Sequence, residues 1–150
     1  MISPAEAMER REDALQLDKQ LCFPLYACAR EAIKRYKPFL DALELTYTQF
    51  IAMTVLWERR ALSAKELGEA LYLDSGTLTP LLKKLEARGL VTRCRSREDE
   101  RSLIVTLTEK GAALRKAALE GPARPPCCPA LEPEEARELH RLLNKLLKSQ

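Results

Sequence analysis

Between Leu62 and Leu107 the spacing of apolar residues changes period once, and the change divides the segment into two helices and a hairpin. Ala64, Leu67, Ala70 and Leu71 recur three and four apart, which predicts a helix over 63–71. Ser63 is suited to cap it, and Glu66, three residues later, completes a capping box. Leu78, Leu81, Leu82 and Leu85 repeat that spacing and predict a second helix that begins at Asp74 or Ser75 and stops at Gly89. Beyond Gly89 apolar and polar residues alternate, so that 90–95 and 102–107 read as two short strands flanking a loop over 96–101. Two helices joined by a tight turn make a helix-turn-helix, and the hairpin adds a wing.

The remaining segments are helical in pattern. One long helix is expected over about 21–36, ended by Pro38, and another over about 48–59 from the Thr46/Thr48 cap region. Thr108 with Glu109 opens a third to about Glu120. Gly121–Pro133, with five prolines and the pair Cys127, Cys128, can only be a loop. The last helix, 133–148, carries Leu139, Leu142, Leu143, Leu146 and Leu147, a stripe too wide for a lone surface helix. Its spare apolar face and that of the first helix are expected to meet a second subunit, giving a two-fold homodimer. The fold class is therefore mainly α with a small β-hairpin, a winged helix-turn-helix with N- and C-terminal dimerisation helices.

Charge sharpens this picture. Residues 83–101 hold seven Lys/Arg (Lys83, Lys84, Arg88, Arg93, Arg95, Arg97, Arg101) against four acids (Glu86, Glu98, Asp99, Glu100), while the rest of the chain balances eighteen against eighteen. The whole net charge of +3 thus sits on the second helix and the wing, where a polyanion would need it. Off the apolar stripe of that helix lie Thr77, Thr79, Lys83 and Lys84: short hydroxyls ahead, cations behind, which is what a major groove admits. Double-stranded operator DNA is the expected partner, read by the winged helix at 62–107, with 18–61 and 108–150 as dimerisation helices and 1–17 as an N-terminal arm of one domain.

The N-terminal residues are charged and the longest apolar stretch, Phe50–Trp57, is too short to span a bilayer, so a soluble, cytoplasmic protein with no membrane partner is expected. Five cysteines, an odd number, make free thiols the default over a disulfide framework. Adjacent Cys127 and Cys128 lack metal-ligand spacing, and no metal or cofactor is expected. Cys28 and Cys94 read as small structural residues, Tyr72 as core, and His140 as a packing or surface residue.

Cys22 is different. Pro24 suits a first helical turn, which places Cys22 at a helix N-terminus, where unpaired amides and the helix dipole favour thiolate. Ionisation raises thiol reactivity by roughly thirtyfold at most, so a fast-reacting thiol also needs hydrogen-bond donors for the charge that develops on its reaction partner, a role phenols can fill. Tyr26 lies one turn on. Tyr36, if helical, is about 21 Å further along the axis and could meet only the Cys22 of an antiparallel partner.

At this point a resemblance is specific. The runs Leu17-Asp18-Lys19-Gln20-Leu21-Cys22-Phe23, Leu71 to Glu86 (LYLDSGTLTPLLKKLE) and Glu98-Asp99-Glu100-Arg101-Ser102 resemble the organic hydroperoxide sensor branch of the MarR family, over about residues 17–116. The resemblance implies a dimeric repressor, not an enzyme, that leaves its operator when Cys22 is oxidised by an organic hydroperoxide. It implies that Tyr36 and Tyr47 bond the reactive sulfur across the dimer interface, and that Cys127, with Cys128 as alternative, resolves the sulfenic acid from the other subunit. DNA contacts by the same resemblance fall at Ser75, Gly76, Thr77, Thr79, Pro80, Lys83 and Lys84, and in the wing at Arg95, Arg97 and Arg101, with Asp99 shaping the turn. Leu21, Phe23 and Phe39 would supply apolar surroundings that favour an organic peroxide. A single-cysteine switch, or a repressor answering a non-covalent phenolic ligand, remain open alternatives.

Overall fold

The computed structural model describes residues 3–122 and 129–149; the Cys127–Cys128 doublet lies outside them. In chain order the elements are α1 (Pro4–Leu15), a 3-10 turn (Leu17–Lys19), α2 (Cys22–Arg35), α3 (Lys37–Ala42), α4 (Tyr47–Arg59), β1 (Ala61–Ser63), α5 (Ala64–Leu71), α6 (Ser75–Ala87), β2 (Val91–Arg95), β3 (Leu103–Leu107), α7 (Glu109–Glu120) and α8 (Pro133–Leu147). They form two compact units, residues 36–124 and residues 1–35 with 125–150.

The 36–124 unit holds the core. Short caps set its helices: Thr46 and Gln49 close a box at the start of α4, Ser63 and Glu66 do the same for α5, and Asp74 caps α6. The Ser63 hydroxyl and backbone hold the Glu66 carboxyl below its ordinary range. Leu67, Leu78, Leu81, Leu82 and Leu85, all on the stripes read from the sequence, are buried with Met53, Leu56, Leu62, Val91 and Val105.

Several features depart from the sequence reading. The hairpin is part of a three-stranded antiparallel sheet of order β1-β3-β2, because Leu62 pairs with Val105. Arg60 turns the chain out of α4 at φ 65°, and its carbonyl accepts from Leu107 N at 2.8 Å, which lays Ala61–Ser63 against β3. Pro38 does not merely end a helix: it sits in the first turn of α3, where its missing N–H costs nothing. Tyr72, expected in the core, is 61% exposed; it occupies the left-handed C-cap of α5 at φ 54°, and that turn swings the ring outward. Cys28, expected as a small buried residue, is likewise exposed, on a helix with no buried side chain, and Cys94 is exposed on a strand that buries only Val91.

Two sets of bonds fix the winged helix. Glu86, at the end of α6, takes Arg93 Nη2 at 2.7 Å, Nε at 3.0 Å and the Arg93 backbone N at 3.2 Å, tying the helix to β2. This guanidinium holds the Glu86 carboxyl below its ordinary range. The second set clamps α7 to the α6–β2 turn. Thr108 Oγ1 donates to Gly89 O at 2.6 Å, Lys110 Nζ to Arg88 O at 2.7 Å and Thr108 N to Leu90 O at 3.2 Å. From the other side Trp57 Nε1 donates to Gly111 O at 2.9 Å. A Cβ at position 111 would stand 2.2 Å from Leu90 O, so only glycine allows the approach.

In the other unit Ser3 and Glu6 close a capping box at α1 with Pro4 in the first turn. None of α1, α2 or α8 carries a buried residue, and Leu139, Leu142, Leu146 and Leu147 of α8 are exposed, as is His140. Among the described residues no helix is long and apolar enough to cross a membrane.

Replacing Gly111 by Ala is expected to cost about 2 kcal/mol or more, since the contact is with backbone and cannot relax by a rotamer change; urea unfolding measures it. Glu86→Gln should lower the urea midpoint at pH 7. Because folding lowers the carboxyl's pKa from 4.5, its stabilisation is present above that value and lost as pH falls through the folded one. The gap between wild type and variant should therefore close on acidification, and a gap that persists there would refute the tie.

Candidate nucleic-acid face and thiol helix

The leucines of α6 are spent on the core, which leaves Ser75, Gly76, Thr77, Thr79, Pro80, Lys83 and Lys84 exposed along its other side. Pro80 lies on that side and takes one N–H out of the helical ladder. At the leading end Asp74 Oδ1 accepts from Thr77 N at 2.8 Å and Oδ2 accepts from Thr77 Oγ1 at 3.2 Å. These bonds, the backbone one foremost, hold the Asp74 carboxyl below its ordinary range.

The wing turn is internally braced. Ser96 N donates to Ser102 O at 2.8 Å and Ser102 N to Asp99 O at 2.9 Å, while Ser96 Oγ accepts from the backbone of Glu98 and Asp99. Asp99 Oδ1 accepts from Arg101 N at 3.0 Å, and Arg95 Nη1 donates to Glu100 O at 2.7 Å.

Sequence spacing could not show how the cations divide. Arg93 is bound to Glu86, and Arg88 reaches back to the carbonyls of Glu44 and Leu43. Arg95 is turned into the wing. Lys83, Lys84, Arg97 and Arg101 remain exposed, and among the described residues none of their side chains has an acidic partner. The positive face is thus a subset of the seven, with two arginines serving the fold and one the turn.

Cys22 is the first residue of α2 and is exposed, at an end where the first N–H groups of the helix have no intrahelical acceptor. Tyr26 follows one turn later, 60% exposed, with the Arg30 guanidinium 5.4 Å from its ring centroid. Leu21 and Phe23 are exposed beside it, whereas Phe39 belongs to the core of the 36–124 unit. In that unit Tyr36 and Tyr47 are brought together, ring centroids 5.5 Å apart and edge to face. Tyr36 is 9% exposed and also meets Phe39 and Phe50. The structure therefore brings Tyr36 and Tyr47 into contact in the core's aromatic cluster, and places Cys22 and Tyr26 one turn apart on α2. Among the described residues no group of three or more His, Cys, Asp or Glu is gathered to hold a metal.

Comparison with known proteins places this architecture. The family model described as "Transcriptional regulator SarA/Rot" matches residues 34–117. The chain is 55% identical over 115 residues to the organic hydroperoxide resistance transcriptional regulator of Bacillus subtilis (strain 168), covering 77% of this chain and 78% of that one. Reduced AbfR bound to DNA superposes with a TM-score of 0.75 at 33% identity, over 93% of this chain and 97% of that one. AbfR, from Staphylococcus epidermidis, is also solved overoxidized on DNA and in a disulfide-formed state. A mutant MarR from E. coli complexed with operator DNA superposes at 0.71 and 25% identity, over 85% and 93% of the two chains. With the winged helix, the exposed basic face and these likenesses together, the chain belongs to the MarR-type family of DNA-binding transcriptional regulators, on the branch of the organic hydroperoxide regulators.

Proposed function

We propose that the chain is a homodimeric repressor that holds a pseudo-palindromic operator and releases it when an organic hydroperoxide oxidises Cys22. Residues 62–107 are the DNA-binding winged helix; 18–61 and 108–150 pair the two subunits through the apolar faces that α2 and α8 leave exposed. Two copies of α6 enter successive major grooves about 34 Å apart, and Arg101 reaches the minor groove. The observation that carries this reading is the exposed Cys22 at the N-terminus of α2, in a chain 55% identical to an organic hydroperoxide resistance regulator.

The chemistry balances within the reading. The Cys22 sulfur attacks one peroxide oxygen, the O–O bond breaks, an alcohol leaves and a sulfenic acid remains. The thiol of Cys127 of the partner subunit, or of the adjacent Cys128, then condenses with it to a disulfide and water. By the resemblance Tyr36 and Tyr47 are assigned to the reactive sulfur, and Tyr26, one turn after Cys22, is the third phenol assigned to this chemistry. AbfR is solved on DNA both reduced and overoxidized, which supports the disulfide over further oxidation of one sulfur as the releasing event. A hundredfold loss of operator affinity requires only about 2.7 kcal/mol of strain in the spacing of the two α6 helices.

Binding to the promoter of its own gene, with and without cumene hydroperoxide, tests this in wild type, Cys22→Ser and Cys127→Ser, with non-reducing gels alongside. Release should vanish in Cys22→Ser, and the intersubunit disulfide in Cys127→Ser. Release that survives Cys22→Ser would overturn the thiol switch in favour of a non-covalent ligand. Release that survives Cys127→Ser and Cys128→Ser together would leave a single-cysteine switch. Lys83→Ala should weaken binding on every sequence and flatten the salt dependence by about one phosphate contact per protomer. Unchanged salt slopes in both Lys83→Ala and Arg101→Ala would overturn the docking.

A further inference from the structure

We propose that Thr77 reads the major groove as an obligate hydrogen-bond acceptor, its proton being committed to Asp74, so that each half-site contains a base pair recognised through an amino group, N6 of adenine or N4 of cytosine. The proposal rests on the reading that α6 enters the groove.

An ionised carboxylate has no hydrogen to give, so in the 3.2 Å contact between Thr77 Oγ1 and Asp74 Oδ2 the hydroxyl donates. Asp74 is an ordinary carboxylate in the neutral range, and the bonds from Thr77 hold it further below its usual range. A Cβ at Gly76 would stand 3.1 Å from Asp74 Oδ1, a tight contact to which the carboxylate would have to give by a few tenths of an ångström. Having given its proton away, Thr77 offers only lone pairs. Ser75 and Thr79 are exposed on the same helix without a side-chain hydrogen bond among the described residues, and their hydroxyls turn freely as donor or acceptor. Of the three hydroxyls at this end, Thr77 alone has its polarity fixed by the fold.

Every base pair shows an amino donor on one strand and keto or N7 acceptors elsewhere across the major groove. A fixed acceptor approaches N6 or N4 and is repelled by O4, O6 and N7. The Asp74 charge beside it also disfavours a phosphate at the same place, so the leading end of α6 is turned to base edges while Lys83 and Lys84 serve the backbone.

Duplexes enriched by the wild-type protein from a randomised pool supply the probe. In the enriched duplex each adenine of the half-site is replaced in turn by purine, which lacks the 6-amino group, opposite an unchanged thymine, and each cytosine by its 4-deamino analogue. Wild type should lose about tenfold in affinity at one position, and Thr77→Val, which keeps the backbone cap, should show no such loss there. Asp74→Asn keeps an N-cap but can itself donate to Thr77, and should relax the preference at that position. The proposal is overturned if every amino deletion costs wild type and Thr77→Val the same, or if the coupling appears instead on deleting thymine O4. Should wild type enrich no duplex at all, it is the DNA-reading role of α6 that fails, and this inference with it.

Discussion

The winged helix depends on one close approach, that of α7 to the backbone of Leu90. Glycine at position 111 lets the helix come within a distance that any side chain would forbid. Three hydrogen bonds from Thr108 and Lys110 then cover the carbonyls of Arg88, Gly89 and Leu90, which α6 and its turn would otherwise leave unpaired. Gly89 itself sits at φ 71°, which is why the chain can reverse there in so few atoms. The result is a joint in which the end of α6, the start of the wing and the start of α7 cannot move independently. Anything that displaces α7 must act on α6 or break these bonds.

Glu86 and Arg93 supply the complementary tie on the other side of the turn. Charge there holds the fold together, and this changes how the basic segment should be read. A cluster of cations in a sequence signals a polyanion partner only after the fold has taken its share. Here Arg93 and Arg88 are taken, and the field offered to solvent comes from Lys83, Lys84, Arg97 and Arg101.

Most of the 36–124 unit was legible because its signals are local. The Ser63–Glu66 box, the Asp74 cap, Gly89 and the leucine stripes act within a few residues and appear in the structure where the spacing puts them. What escaped was non-local or ambiguous. Three residues of β1 are too short to alternate, and they become a strand only because β3 lies alongside. Pro38 signals an end and a beginning equally well. Ser3, Pro4 and Glu6 did carry a capping signal for α1, overlooked among charged residues. Tyr72 failed by propensity, since a tyrosine in the left-handed region is uncommon and its place was held by the turn. The place of Cys22 at a helix start was legible through one proline, while the division of the arginines needed coordinates.

Among the described residues the sheet order β1-β3-β2 leaves β2 with a strand neighbour on one side only. An unpaired strand edge is a template on which a second chain can continue the sheet, and that route leads to aggregation. The Arg93 backbone N–H of β2 is already given to the Glu86 carboxylate, which also holds the Arg93 guanidinium, so part of this edge is closed to a second chain. The tie that joins α6 to β2 therefore also blunts an edge on which another copy could otherwise continue the sheet.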